Sequence, residues 1–298
     1  MDDFRLTVFI TAARTLSFTR TAESLGISQP AVSRHIGELE ARYRVPLFVR
    51  RGGRLELTEA GRVLLAAAGR VADDYRRLEY EMGLCTSQTE GELRLGASTT
   101  LAQYLLPAIL ARFTTRFPGV RVSMLSGNSG RIEQALADRE IDLGLVESVS
   151  RRQGLHYTLF QPDELVLVAR TGGLWAATES VTPAELCRIP LVLREQGSGT
   201  LEVISAALAG VGIRLAQLHV ALRLGTTEGI KSYVRHSDAM AILSVISVVE
   251  ELRRGTLRII DIEGLTLTRD FSFVHLAAEP VPLARQFEEF ACTDRAER

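Results

Sequence analysis

The stretch from Ser17 to Gly61 constrains this chain more than any other. Ahead of it Leu6, Phe9, Ile10 and Ala13 recur at helical spacing and predict a first helix with one apolar stripe. Ser17 is suited to cap a second helix with Phe18, Ala22 and Leu25 on its inner face. Gly26 is suited to end it, since glycine tolerates the left-handed conformation needed at a helix stop. Ser28 then caps a third helix, and Pro30 fits its first turn, where no backbone hydrogen bond is lost. In that helix Val32, Ile36, Leu39 and Tyr43 share one side, with Pro30, Ser33, Arg34 and Gly37 roughly opposite. Two short helices joined by a tight turn are the device that seats the second one in a DNA major groove. Its candidate DNA-contacting residues are Ser28, Gln29, Pro30, Ser33, Arg34 and His35. An arginine there can reach guanine edges or phosphate, and a glutamine at the entering end can read adenine. The competing reading is an ordinary surface helix of an all-α domain. The agreement of turn, caps and outward face argues against it.

After Tyr43 the chain reads Arg44-Val45-Pro46-Leu47-Phe48-Val49-Arg50-Arg51-Gly52-Gly53-Arg54-Leu55-Glu56-Leu57. Gly52-Gly53 is a two-residue hairpin signal between short apolar strands. Arg50, Arg51 and Arg54 are therefore candidate phosphate contacts on a wing, which would position the protein without reading bases. For any one of these arginines a solvated turn is the competing reading.

The pattern Phe9, Ser17-Phe18-Thr19, Ala22, Leu25, Ser28-Gln29-Pro30-Ala31-Val32-Ser33, Ile36, Leu39-Glu40, Leu47-Phe48, Arg50, Leu57-Thr58, Ala60-Gly61 resembles the LysR-type transcriptional regulators. The match is dense over about sixty residues. It departs at Thr21, where that family usually has alanine, and at Arg44, where it usually has glycine. The resemblance implies an α/β protein with three parts: an N-terminal winged helix-turn-helix, a long dimerisation helix, and a two-lobed effector domain like a periplasmic binding protein. It further implies a homodimer or homotetramer (a dimer of dimers) on double-stranded promoter or operator DNA. An effector between the lobes and contact with RNA polymerase complete the expectation.

Length and charge fit that plan. A chain of 298 residues is too long for one typical domain. Its net charge is only −1, and residues 1–60 carry nine arginines against seven acids, so DNA affinity must come from where the arginines sit and from having two copies. No run of eighteen apolar residues occurs and Met1-Asp2-Asp3 lacks a basic region, so neither a membrane span nor a secretion signal is expected, and the location expected is cytoplasmic. Cys85, Cys187 and Cys292 have no metal spacing. Three inert thiols are expected, with a redox pair of Cys187 and Cys292 as the alternative. No metal and no cofactor are expected.

From Ala60 onward, Leu64, Ala67, Val71, Tyr75, Leu78 and Met82 follow in steps of three and four, close to a coiled-coil seam. At 1.5 Å per residue this helix runs about 33 Å, and a seam implies a dimer reading paired half-sites. The alternative is a helix lying on its own receptor domain. Cys85-Thr86-Ser87-Gln88-Thr89-Glu90-Gly91 reads as a hinge. The expected division is a reader at 1–58, a linker helix and hinge at 59–88, and an effector domain at 89–298.

Beyond the hinge strands and helices alternate. Strands are expected near residues 92–97, 120–125, 142–146, 164–169, 191–193, 218–222, 241–243 and 271–276. Helices are expected at 105–117, 129–137, 200–209, 227–235, 245–253 and 281–292. By the resemblance, one lobe comprises 91–162 and 269–298 and the other 163–268. Ligands of open α/β sheets bind beyond the carboxyl ends of strands, at helix N-termini. Four such turns carry hydroxyl or amide groups: Ser98-Thr99-Thr100, Asn128-Ser129, Ser198-Gly199-Thr200 and Thr226-Thr227. Together they suit a small anion, such as a carboxylate or inorganic oxyanion. For each taken alone, a plain helix cap is the competing reading.

Lys231 is the sole lysine among 35 basic residues, and two readings of it stay open, a cleft ammonium or a solvated face. In the turn after it the family generally has glycine at Ser237 and Ala239, which leaves the geometry there open. Gly96-Ala97-Ser98-Thr99-Thr100, Tyr104-Leu105-Leu106-Pro107, Gly127-Asn128-Ser129 and Asp142-Leu143-Gly144-Leu145-Val146-Glu147 are similar to regulators of sulfur assimilation and carbon fixation. An enzyme is the main rival class, but no P-loop, H-E-x-x-H, C-x-x-C or G-x-S-x-G is visible. The alternative function is a cytosolic small-molecule-binding protein or enzyme whose helix-turn-helix serves only assembly.

Overall fold

Short local signals determine the first three helices. In this computed structural model, which describes residues 3–85, 90–147, 149–277 and 281–296, the chain divides into two compact units, Met1–Ser87 and Gln88–Arg298. The expected hinge falls largely outside the described residues, as does the Cys85 side chain.

In the first unit α1 (Phe4–Thr15), α2 (Phe18–Leu25) and α3 (Gln29–Tyr43) are followed by β1 (Phe48–Arg51), β2 (Arg54–Leu57) and the long α4 (Glu59–Cys85). The Ser17 hydroxyl accepts from the Arg20 N–H, Gly26 ends α2 at φ +64°, and the Ser28 hydroxyl accepts from the Ala31 N–H. Each cap contributes about 1 kcal/mol by satisfying a backbone group that the helix leaves open. Val8, Phe9, Ala12, Ala22, Val32, Ile36, Leu39 and Leu47 form the core. Tyr43, expected on the inner side of α3, is exposed, because the helix ends there and Arg44 leaves it at φ +57°. The structure also divides the expected seam. Ala60 and Leu64 pack on the reader core, whereas Val71, Leu78 and Met82 are at least half exposed. Gly61 lets α4 approach closely, since a Cβ there would collide with the Leu47 carbonyl.

The second unit starts with β3 (Gly91–Ser98), a π-helical turn (Leu101–Leu105), α5 (Leu106–Arg116), β4 (Val120–Gly127), α6 (Ser129–Ala137) and β5 (Leu143–Val146). β3 pairs in parallel with β4 on one side and β5 on the other, the expected βαβαβ unit. β6 (Leu155–Arg170) leads to a second set: β7 (Ser180–Val181), α7 (Pro183–Leu186), β8 (Leu191–Arg194), α8 (Gly199–Gly210) and β9 (Val220–Leu224). It continues with α9 (Thr227–Arg235), β10 (Met240–Ser244), α10 (Val245–Arg253) and β11 (Leu257–Ile262). β12 (Leu267–Leu276) and α11 (Pro282–Ala296) return to the first set.

One sheet runs through both lobes in the order β4-β3-β5-β12-β6-β10-β8-β9. β6 and β12 pair antiparallel from Leu267–Leu165 to Leu276–Leu155 and form the two crossings between lobes. These strands are longer than the expected 164–169 and 271–276. Pro162 lies inside β6 opposite Asp270, beside a bulge at Phe271/Ser272. β7, α7 and β11 were not expected either. Among the described residues no helix is long and apolar enough to cross a membrane.

Candidate nucleic-acid interface and ligand cleft

Ser28, Gln29, Pro30, Ser33 and Arg34 are all exposed at the start of α3. Gln29 Nε2 donates to the Ser33 hydroxyl at 2.9 Å, and Arg34, 69% exposed, has among the described residues only Glu38, 3.8 Å away. Side chains so weakly held can be re-aimed at base edges at little cost. His35 does not belong to this face. Its ring stands edge-on to Phe4 at 5.5 Å and is mostly covered, because position 35 turns toward α1. Gly52 and Gly53 both have positive φ, so the hairpin turns tightly and leaves Arg50, Arg51 and Arg54 exposed. A cavity of about 500 Å³ lies between the start of α2 and the wing, and Gln29, Arg50 and Arg54 line it together with Arg20. Arg20 escaped the sequence reading. Its guanidinium donates to the Thr15 carbonyl, and its place one turn into a capped helix was the available signal.

The four hydroxyl-bearing turns of the receptor lie at the carboxyl ends of β3, β4, β8 and β9. The structure brings three of them together. Gly130 N–H donates to the Gly197 carbonyl at 3.2 Å, and Asn128 Nδ2 donates to Glu195 Oε1 at 3.2 Å and to the Gln196 carbonyl at 3.3 Å. Asn128 Oδ1 meanwhile caps α6, so one side chain starts a helix and ties the lobes. Ser98, Ser129 and Ser198 are each 1% exposed, and among the described residues none of their hydroxyls has a partner. Thr99 donates to the Gly127 carbonyl and accepts from Arg194, while Thr200 accepts from Arg269 at 2.9 Å. Gly199 permits the close approach of the lobes, since a Cβ there would sit 2.8 Å from both the Glu147 carbonyl and Ser129 Oγ. Thr100 and Thr227 are buried. The fourth turn departs from expectation. Thr226 is exposed and its hydroxyl caps α9 through the Gly229 N–H, the plain role of a helix start.

Charged groups dominate the cleft walls, and the sequence reading missed most of them. Arg194, 2% exposed at the end of β8, is paired with Glu195 at 2.9 Å and reaches the Gly225 carbonyl. Burial raises the Glu195 carboxyl, but the Arg194 hydrogen bonds and charge outweigh it and hold it below the usual range. Arg269 on the β12 crossing donates to Asp163 at 2.7 Å and lies 3.6 Å from Glu147. An arginine closing the apolar run Leu191–Leu193 was the one signal available for Arg194.

Lys231 is neither solvated nor aimed at open space. It is 4% exposed, donates to the Ser247 carbonyl at 2.8 Å, and is paired with Glu228 at 2.7 Å and Glu251 at 2.9 Å. Tyr104 of the opposite lobe lays its ring 4.9 Å from the ammonium and donates to Glu228. Burial, then the bond to Glu228, pushes the Tyr104 phenol well up. The lobes are thus tied at both sides of the cleft. In the turn after α9 the Ser237 hydroxyl accepts from the Ala239 N–H, closing without glycine. Cys187 is half-buried against the second-lobe core, and Cys292 is exposed on α11.

An arginine-rich winged helix-turn-helix followed by a two-lobed receptor defines a ligand-responsive DNA-binding regulator. The LysR substrate binding domain matches residues 86–293, and the bacterial regulatory helix-turn-helix of the lysR family matches residues 4–62. The chain belongs to the LysR family of transcriptional regulators. It is 27% identical over 270 residues to the HTH-type transcriptional regulator CysL of Bacillus subtilis (strain 168), covering 91% of this chain and 89% of that one. It is 29% identical over 290 residues to the RuBisCO operon transcriptional regulator of Acidithiobacillus ferrooxidans, covering 96% and 92%. Among solved structures it is similar to the CcmR regulatory domain of Synechocystis PCC6803 in complex with 2-PG. There the TM-score is 0.62 at 27% identity, over 69% of this chain and 97% of that one. These relatives fall in the sulfur-assimilation and carbon-fixation group to which the receptor motifs pointed, and they are regulators rather than enzymes.

Proposed function

We propose that this LysR-type regulator senses a small anion held between Ser98, Thr99 and Ser129 of one lobe and Arg194, Ser198 and Thr200 of the other. The observation that carries this reading is the set of three buried hydroxyls that have no partner among the described residues where the lobes meet. Such groups cost free energy until a ligand satisfies them. The 2-PG complex of the similar CcmR domain supports a small ligand at a receptor of this fold. The reader spans 1–58, the linker 59–88 and the effector domain 89–298, with lobes of 91–162 plus 269–298 and 163–268. The exposed apolar positions Val71, Leu78 and Met82 favour pairing through α4 with a second copy, as homodimer or homotetramer in the cytoplasm. Effector binding tightens the lobes, shifts the angle between paired readers by population shift, and alters the DNA bend and the contact with RNA polymerase.

Binding of the full chain to its own promoter and to random DNA, by fluorescence anisotropy at fixed salt, tests the reading side. Arg34→Ala is expected to weaken promoter binding about 5- to 150-fold, the range of 1–3 kcal/mol for a base contact, with random DNA nearly unaffected. Equal loss on both would confine Arg34 to phosphate. No preference for promoter DNA in the unmodified protein would refute the proposal.

A further inference from the structure

We infer that the cleft selects an anion that carries its own hydrogen-bond donor, a hydrogen-phosphate-like oxyanion or a hydroxy acid, and that Glu147 reads that hydrogen. The inference rests on the cleft being the effector site and names the chemistry it selects.

Charge is the first argument. Each buried cation of the cleft walls is already matched: Arg194 by Glu195, Arg269 by Asp163 and Glu147, and Lys231 by Glu228 and Glu251. Even counting the partly exposed Arg235 that shares Glu251, four cations face five carboxylates, and an entering anion meets no unspent positive charge. It has to be held by dipoles, namely serine hydroxyls and the backbone at the starts of α6 and α8.

Hydrogen bonding is the second. Among the described residues of the cleft, Ser98, Ser129 and Ser198 offer unused hydroxyls, and Arg269 Nη2 is an unused donor. Glu147 Oε2 is an unused acceptor, on a side chain only 2% exposed. Three of these groups are neighbours: Gly199 packs against both Ser129 Oγ and the Glu147 carbonyl, and Arg269 spans from Thr200 to the Glu147 carboxylate. An ion with only acceptor oxygens satisfies the serines and Arg269 but sets bare negative oxygen beside Glu147. An ion that also bears an O–H satisfies Ser129, Arg269 and Glu147 together. A site that leaves a buried acceptor unpaired with the wrong ligand discriminates strongly against it.

Hydrogen phosphate and sulfate are matched tetrahedral anions that differ by one O–H, and glycolate and acetate differ by one hydroxyl. Calorimetric titration of the full chain at pH 8 and constant ionic strength, with each of the four, tests the inference. Phosphate and glycolate are expected to bind at least about tenfold tighter than their partners, the value of one charge-assisted hydrogen bond. Glu147→Gln offers an amide N–H in place of the acceptor and is expected to narrow or invert both ratios. Ser129→Ala is expected to weaken all binding without changing the ratios, and it decides the matter if Glu147→Gln fails to fold. Equal binding within each pair, with all of it weakened by Ser129→Ala, would overturn the selectivity and leave the cleft as the effector site. Binding by none of the four, or binding indifferent to Ser129→Ala, would overturn both.

Discussion

Replacing Lys231 by methionine removes a charge that three acceptors surround. Methionine keeps the length of the chain but leaves Glu251, 7% exposed, with only the partly exposed Arg235 guanidinium at 3.5 Å, and Glu228 hydrogen-bonded to Tyr104. Breaking a buried pair from one side costs up to about 3–5 kcal/mol when the remaining charge is uncompensated, and the longer contact to Arg235 lowers that cost here. Glu228 is over half exposed, so its share is small and Glu251 sets the magnitude. For a unit of this size that loss lowers Tm by up to roughly 20 °C. Scanning calorimetry of the full chain, following the receptor transition, measures it. Lys231→Met combined with Glu251→Leu, which removes both charges, is expected to recover much of the loss. A single-mutant loss of less than about 1 kcal/mol would refute the argument, since that is the value of a surface ion pair. A double mutant no better than the single would show that packing, not charge, holds α9 to α10.

Two further perturbations test other parts of the account. Gly199→Ala is expected to destabilise the closed lobes by about 1–3 kcal/mol through the approach of its Cβ to Glu147 and Ser129, and to speed exchange of the Gly130 amide about fivefold or more; unchanged exchange would contradict it. Burial pushes the Glu288 carboxyl up to about 7, with Arg285 and His156 opposing. Its folded state therefore holds the proton more tightly than the unfolded chain, so this stabilisation is complete below about pH 4.5 and is lost as pH rises through 7. Glu288→Gln is expected to flatten the fall of Tm between pH 5 and 8.5, and an unchanged slope would count against it.

What the sequence made legible was local. Ser17, Gly26 and Ser28 each act within one turn of themselves, and the helices at Ser129–Ala137, Thr227–Arg235 and Val245–Arg253 were expected with those bounds. The crossing strand was not legible, because Gln161-Pro162-Asp163 is tolerated only through pairing with residues about a hundred positions away. Arg194 and Arg269 were missed for a related reason. A lone arginine in a strand means little until the fold brings Thr99 and Gly225 against Arg194, and Asp163 and Glu147 against Arg269. The rarity of Lys231 marked the position, but its role depends on Ser247 and Glu251 from the following helix. Thr226 shows the converse, an exposed hydroxyl that takes the plain capping role its place at a helix start suggests.

In vitro selection of DNA from a random pool by the full chain tests the central claim most directly, and it needs no knowledge of the effector. The account predicts enrichment of one short motif occurring twice about a two-fold axis. The centres should lie about one helical turn, or a multiple of it, apart, since paired readers on joined α4 helices impose that spacing. Arg34→Ala should lose the motif while still retaining DNA at low salt. A pool that enriches no motif, or a single copy of it with no fixed partner, would contradict the claim that this chain works as a paired DNA reader.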